Sequence, residues 1–252
     1  MIRVERLRKT YGALVAVDDL SLEVEPGCVF GFLGRNGAGK TTTIRMMMGL
    51  LEPTSGTAVL GGHDIRRAPE AAKAVTGYLP EHPFLYDKLT ALEFLRFVGG
   101  LYGLRGADVG ARARLLLEQF GLGRMAGELT ETLSQGMRQR LALAAALVHR
   151  PRVLILDEPM VGLDPEGALE LRNLVRHLAA DGVTIFLSTH SLAVAEELCG
   201  RIGIVDRGRL VVLGTLDELR ARAVHSDGRA GAPASLEAVF LDILGPGGDG
   251  RA

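Results

Sequence analysis

Brief apolar runs alternate along this chain with longer segments of helical period. Val29-Phe30-Gly31-Phe32-Leu33, Val153-Leu154-Ile155-Leu156 and Val183-Thr184-Ile185-Phe186-Leu187 are short and nearly continuous. Such runs predict strands buried on both faces, as in a parallel sheet. Leu20-Ser21-Leu22-Glu23-Val24 alternates instead, the pattern of a half-exposed antiparallel strand. Residues 57–61 and 75–79 read as further strands, the second closed by Pro80. From Pro83 to about residue 150 the period turns helical. Leu89, Leu92, Phe94, Leu95, Phe97 and Val98 mark one segment, and Leu115, Leu116, Leu117 and Phe120 another. Met137, Leu141, Ala144 and Val148 mark a third, with Ser134 placed as its N-cap and Pro151 as its stop. A hairpin is expected over 202–205 and 210–213 around Arg207-Gly208. Residues 224–235 have linker composition, and Leu236, Val239, Phe240, Ile243 and Leu244 form the apolar face of a short helix. The tail 245–252 is expected to be disordered.

One glycine-rich stretch interrupts the first buried run and brings chemistry with it. Gly34-Arg35-Asn36-Gly37-Ala38-Gly39-Lys40-Thr41, followed by Thr42, fits G-x-x-x-x-G-K-[ST] between a strand and a helix. The glycines allow backbone N–H groups to face a phosphate chain, and the following helix adds its positive end. Lys40 reaches the outer phosphates, and the Thr41 hydroxyl can ligate Mg²⁺. The other two runs end in Asp157-Glu158 and in Ser188-Thr189-His190. In open α/β sheets ligands bind at the carboxyl ends of parallel strands, so these groups are expected to meet. Asp157 then holds Mg²⁺ opposite Thr41. Glu158, expected on the other face of the strand end, is free to deprotonate a water. His190 can hydrogen-bond the terminal phosphate. The bland alternatives are a helix-capping carboxylate and a surface histidine. Tyr11, in Lys9-Thr10-Tyr11-Gly12, sits in a loop-like setting where it can equally pack a hairpin.

Composition narrows the class. Across 252 residues, 47% hydrophobic content supports a sizeable core, and a net charge of −1 gives no footprint for nucleic acid. Cys28 and Cys199 form no CxxC pair, which suits a reducing compartment. The first residues carry no apolar leader, and no window nears the roughly 20 apolar residues of a membrane span. A soluble chain is expected.

The order and spacing of these motifs resemble the ATP-binding cassette (ABC) family, the ATPase subunits of ABC transporters, over roughly residues 2–220. Tyr78-Leu79-Pro80-Glu81 is similar to the family's Q-loop, with Glu81 in place of the usual glutamine. Leu133-Ser134-Gln135-Gly136-Met137 resembles the LSGGQ signature, with the second glycine and the glutamine replaced. Residues 153–159 look like the Walker B strand with its catalytic glutamate, 162–165 like the D-loop, and His190 like the switch histidine. Both departures, and Leu236-Glu237-Ala238-Val239-Phe240-Leu241, resemble the drug- and sodium-efflux branch.

The resemblance implies an α/β P-loop NTPase with a mainly parallel sheet core, an N-terminal antiparallel β subdomain and a helical insertion over about 83–150. Residues 1–220 would be the ATPase domain, and 221–252 a linker, short helix and tail. It implies ATP and Mg²⁺ as cofactors, with Tyr11 stacking on adenine and Gly34 to Thr42 on the phosphates. Glu158 and His190 would be catalytic, and Thr41, Asp157 and Glu81 would face the metal. Ser134, Gln135, Gly136 and Asp164 would act in trans, across a homodimer or a heterodimer with a related cassette. The other partner implied is an integral membrane permease, with no nucleic acid, placing the chain on the inner face of the cell membrane. The segment His82-Pro83-Phe84-Leu85-Tyr86 would receive a permease helix, or else pack the insertion on the core. The alternative class is a soluble ABC ATPase acting on nucleic acid or ribosomes.

Overall fold

The computed structural model describes residues 1–227 and 235–244. Strands β1 (Ile2–Tyr11) and β2 (Leu14–Val24) open the chain, followed by β3 (Val29–Leu33), helix α1 (Lys40–Met47), β4 (Ser55–Leu60) and β5 (His63–Asp64). Helix α2 (Pro69–Ala74) leads into β6 (Thr76–Leu79), and α3 (Ala91–Leu101), α4 (Gly106–Gln119) and α5 (Gln135–Ala146) form the insertion. Then come β7 (Val153–Asp157), α6 (Pro165–Ala180), β8 (Thr184–Thr189), α7 (Leu192–Leu198), β9 (Arg201–Asp206) and β10 (Arg209–Gly214). Helices α8 (Leu216–Asp227) and α9 (Leu236–Leu244) end the described chain.

Every residue of β3, β7 and β8 is buried, as their unbroken apolar runs require. They form the centre of a six-stranded sheet ordered β10-β9-β3-β8-β7-β6, parallel except where β10 pairs antiparallel with β9. The alternating segment lies in a separate antiparallel sheet, β2-β1-β4-β5. Strand alternation sends Phe30, Phe32, Ile155 and Phe186 into one core with the second sheet and α1. It sends Leu33, Leu154, Leu156 and Leu187 into another, under the remaining helices. Phe186 stacks on Phe30 and meets Phe32 at a tilt, at ring separations of 5.4 and 5.2 Å.

The insertion begins at a capping box. Thr90 Oγ1 accepts from the Glu93 N–H, and Glu93 Oε2 accepts from the Thr90 N–H. It is tied back to the core where α5 ends. Arg112 donates to the carbonyls of Leu147 and Val148, and the Tyr102 and His149 rings stack in parallel, 3.6 Å apart.

Several expectations needed correction. Tyr11 is the last residue of β1, not part of a loop. α2 was not foreseen. α5 stops at Ala146, with Leu147 as C-cap, before Pro151 is reached. α8 runs across the 220/221 boundary and through 224–227, where composition predicted a linker; 228–234 and the tail 245–252 lie outside the described residues. α9 packs back on the core through buried Leu236 and Val239. Among the described residues, no helix is long and apolar enough to cross a membrane.

Candidate nucleotide site

The turn from β3 into α1 wraps a lysine ammonium. Lys40 Nζ donates to the Gly34 carbonyl at 2.8 Å and the Arg35 carbonyl at 3.4 Å, and lies 3.6 Å from Glu158 Oε1. Two glycines are sterically required. A Cβ on Gly34 would sit 2.5 Å from the Val205 carbonyl oxygen, and Gly39, at φ +101°, would bring one within 2.6 Å of the Ala16 carbonyl oxygen. Ala38 is buried, whereas Arg35, Asn36 and Gly37 are exposed at the rim, and Thr41 and Thr42 begin the helix at intermediate depth. The β9–β10 turn holds the loop from behind: the Gly208 N–H donates to the Ala38 carbonyl, and the Asp18 N–H donates to the Gly208 carbonyl, both at 2.9 Å.

Asp157 ends β7 almost fully buried, and neither carboxylate oxygen completes a hydrogen bond of normal geometry. Burial pushes its carboxyl above the usual range, the Ser188 and Thr41 hydroxyls draw it back, and the Glu158 and Glu81 carboxylates add to the rise. Simple alternation would turn Glu158 to the opposite face. Its backbone is left-handed, φ +48°, with its N–H donating to the Ser188 carbonyl at 3.0 Å. Glu158 lines the cleft, whereas Asp157 stays buried. There His190 Nδ1 donates to Glu158 Oε2 at 2.9 Å, while the imidazole remains 59% exposed.

Lys40, Thr41, Glu158 and His190 line a cleft of about 550 Å³ that also takes in Glu81, while Asp157 is not among its lining residues. A larger open hollow of about 1310 Å³ on the antiparallel sheet contains none of them, so the chemistry rather than the volume picks out the site. The carboxylate and hydroxyl oxygens of Asp157 and Thr41 suit a hard divalent cation. Among the described residues, no group of three or more His, Cys, Asp or Glu side chains could hold a metal alone. The two donors would fit Mg²⁺ if a bound nucleotide supplied further oxygens.

Residues 17–161 match the ABC transporter family. The chain belongs to it. It is an ABC ATPase cassette with a P-loop core. It is 40% identical over 222 residues to the linearmycin resistance ATP-binding protein LnrL of Bacillus subtilis, covering 88% of this chain and 71% of that one. It is 41% identical over 244 residues to "Probable multidrug ABC transporter ATP-binding protein YbhF" of Escherichia coli, covering 97% of this chain but only 42% of YbhF. A solved ATP-binding subunit of an ABC transporter superposes with TM-score 0.87 at 35% identity, covering 96% and 99% of the two chains. A dimeric bacterial ABC transporter cassette does so with TM-score 0.79 at 25% identity, covering 86% and 99%.

The residues expected to act in trans stand apart from this cleft. Ser134, Gln135, Gly136 and Asp164 are absent from its own cleft lining. Ser134 and Asp164 instead cap α5 and α6, accepting from the Met137 and Gly167 N–H groups. Gln135 is exposed and Gly136 half-buried. Tyr11 is half exposed, with the Lys9 ammonium 5.2 Å from its ring centre, and pairs across the β1–β2 turn with Leu14, which lines the cleft. Sequence reasoning missed Leu14, Val15, Ala16 and Arg207. Their one signal was the pair of turns at Gly12 and Arg207-Gly208, which fold both hairpins against the phosphate loop.

Proposed function

We propose that the cassette binds Mg·ATP, hydrolyses it between two facing cassettes, and so drives an exporter through a membrane permease. The observation that carries this reading is the buried Glu158 carboxylate held between Lys40 and His190 beside the phosphate loop. A triphosphate draws the Lys40 ammonium onto its outer oxygens, which frees Glu158 to orient and deprotonate a water. His190, anchored on Glu158, extends its exposed ring edge toward the terminal phosphate. Asp157 and Thr41, with Glu81 nearby, hold Mg²⁺, which when bound neutralises charge on the outer phosphates. Tyr11 stacks on adenine at the edge beside Leu14.

Ser134, Gln135, Gly136 and Asp164 act on the nucleotide of the opposite chain, whether an identical or a related cassette. The α5 N-terminus supports this, since Ser134 is exposed there and is not part of the chain's own cleft lining. The exposed Phe84 segment receives the permease and places the cassette on the inner membrane face. Relatives named for multidrug transport and linearmycin resistance favour export over action on nucleic acid or ribosomes.

Glu158→Gln tests the reading. It should retain ATP binding, lose about 10²–10⁴ in turnover, and accumulate an ATP-bound dimer in size-exclusion chromatography. Normal turnover would remove Glu158 as the base.

A further inference from the structure

The joint between the helical insertion and the core holds a half-open pocket of about 310 Å³, away from the phosphate cleft. Its apolar wall is assembled from separate elements: Leu79 ends β6, Phe120 follows α4, Leu143 lies on α5, and Leu171 and Leu174 lie on α6. Leu163 adds to it from the loop before α6. Its leucines forfeit dispersion contacts that a filled joint would make. Its volume falls at the lower end of the roughly 300–1,000 Å³ typical of small-molecule pockets.

Three of the polar groups at its border, His177, Arg140 and Gln139, have partners in the chain. His177, at the exposed edge, donates from Nδ1 to the Asn173 carbonyl at 2.7 Å, so Nε2 is the ring atom left to accept. Arg140 and Glu170 pair at 3.1 Å, so the lining guanidinium is already neutralised. Gln139, almost fully buried, donates its amide to the Pro159 carbonyl at 3.4 Å. An apolar wall, a free acceptor and a satisfied cation favour a neutral molecule with one N–H or O–H donor over any anion.

The position gives such an occupant leverage. α5 and α6 begin at the caps Ser134 and Asp164. Gln139 ties α5 to the loop that follows Glu158, and Leu79 stands two residues before Glu81. We propose that this cavity binds a neutral, mainly apolar molecule of one or two rings with a single hydrogen-bond donor, and that its occupation locks α5 against α6 and slows ATP turnover. The effect on turnover rests on the proposed ATPase function; the binding does not.

Indole is a suitable probe: neutral, bicyclic, with one N–H. Titrated into the full chain carrying ¹³C-labelled leucine methyls, it should shift Leu143, Leu163 and Leu174 saturably and leave Leu101, on the exposed side of the insertion, unmoved. Leu174→Trp fills the cavity and should abolish the Leu143 and Leu163 shifts while ATP affinity stays unchanged. His177→Phe keeps an aromatic ring but removes the acceptor, and should weaken indole about tenfold, the loss expected for one net hydrogen bond. Indole should slow ATP hydrolysis by the wild type and not by Leu174→Trp. Shifts that do not saturate, or that persist in folded Leu174→Trp, overturn the site. Saturable binding with unaltered turnover overturns the coupling. A chain that binds indole but never hydrolyses ATP refutes the proposed function and the coupling that rests on it, and supports the site.

Discussion

A non-glycine residue at φ +48° carries a backbone cost of about 1–3 kcal/mol, and Glu158 bears it at the centre of the cleft. The Ser188 carbonyl and the Lys40 and His190 side chains hold it there. A second residue stores free energy differently. Burial pushes His149 from 6.5 down to about 4, only partly opposed by its bond to the Thr76 carbonyl. Nε2 donates that bond, so the buried, unpartnered Nδ1 is the atom a proton must reach. The folded ring holds its proton less tightly than the unfolded one. Stability is therefore full above about pH 6.5 and falls as the pH drops toward about 4. Because the ring is part-exposed, the loss is on the order of 1–2 kcal/mol rather than the full linkage value. Urea midpoints of wild type and His149→Gln should diverge across that window. Parallel curves would mean that the imidazole titrates freely in the folded protein.

At the scale of elements, α5 joins a structural requirement to the proposed role across the dimer. Ser134 caps the helix, yet its hydroxyl stands on an exposed end away from the chain's own cleft. Ser134→Asp separates the two roles, since aspartate caps a helix as well as serine does. The monomer should keep its melting temperature and ATP affinity, while the added charge repels the partner's triphosphate and prevents the ATP-dependent dimer. Normal dimerisation of the variant, measured by light scattering in Mg·ATP, would end the trans assignment.

Legibility in the sequence followed burial. β3, β7 and β8 were readable because both faces are covered, leaving their runs unbroken. α2 was invisible because its six residues bury only Ala72, too little to make a period. The 224–227 stretch was read as linker from composition, although it continues α8. Alternation alone does not report the left-handed turn that Glu158 makes at the end of its strand. Ala16 was missed because it meets Gly39 through a backbone carbonyl, which no side-chain pattern reports.

At the scale of the whole molecule, the nucleotide cleft and the proposed permease surface share one short segment. Glu81 lines the cleft, and three residues later Phe84 is 81% exposed. Leu85 is buried between Phe84 and the half-exposed Tyr86, so the segment is anchored by one side chain and presents the other two. Their rings meet edge-on at 5.7 Å, and Tyr86 meets exposed Phe97 at 5.2 Å, giving a contiguous aromatic patch. Such a patch marks an interaction surface, and an amphipathic partner helix is the occupant the proposed function requires. Leu85 and the Thr130 hydroxyl, which donates to the Tyr86 carbonyl, also fix the segment, while the Tyr86 ring leans on Phe94 and Phe97 of α3. Replacing Phe84 and Tyr86 together by serine should leave the fold and the ATPase rate of the free cassette within about twofold, as expected for surface substitutions. The same variant should no longer co-extract with membranes containing the permease and should lose transport. Unfolding would return both rings to a packing role, and normal transport by the folded variant would move the docking surface elsewhere.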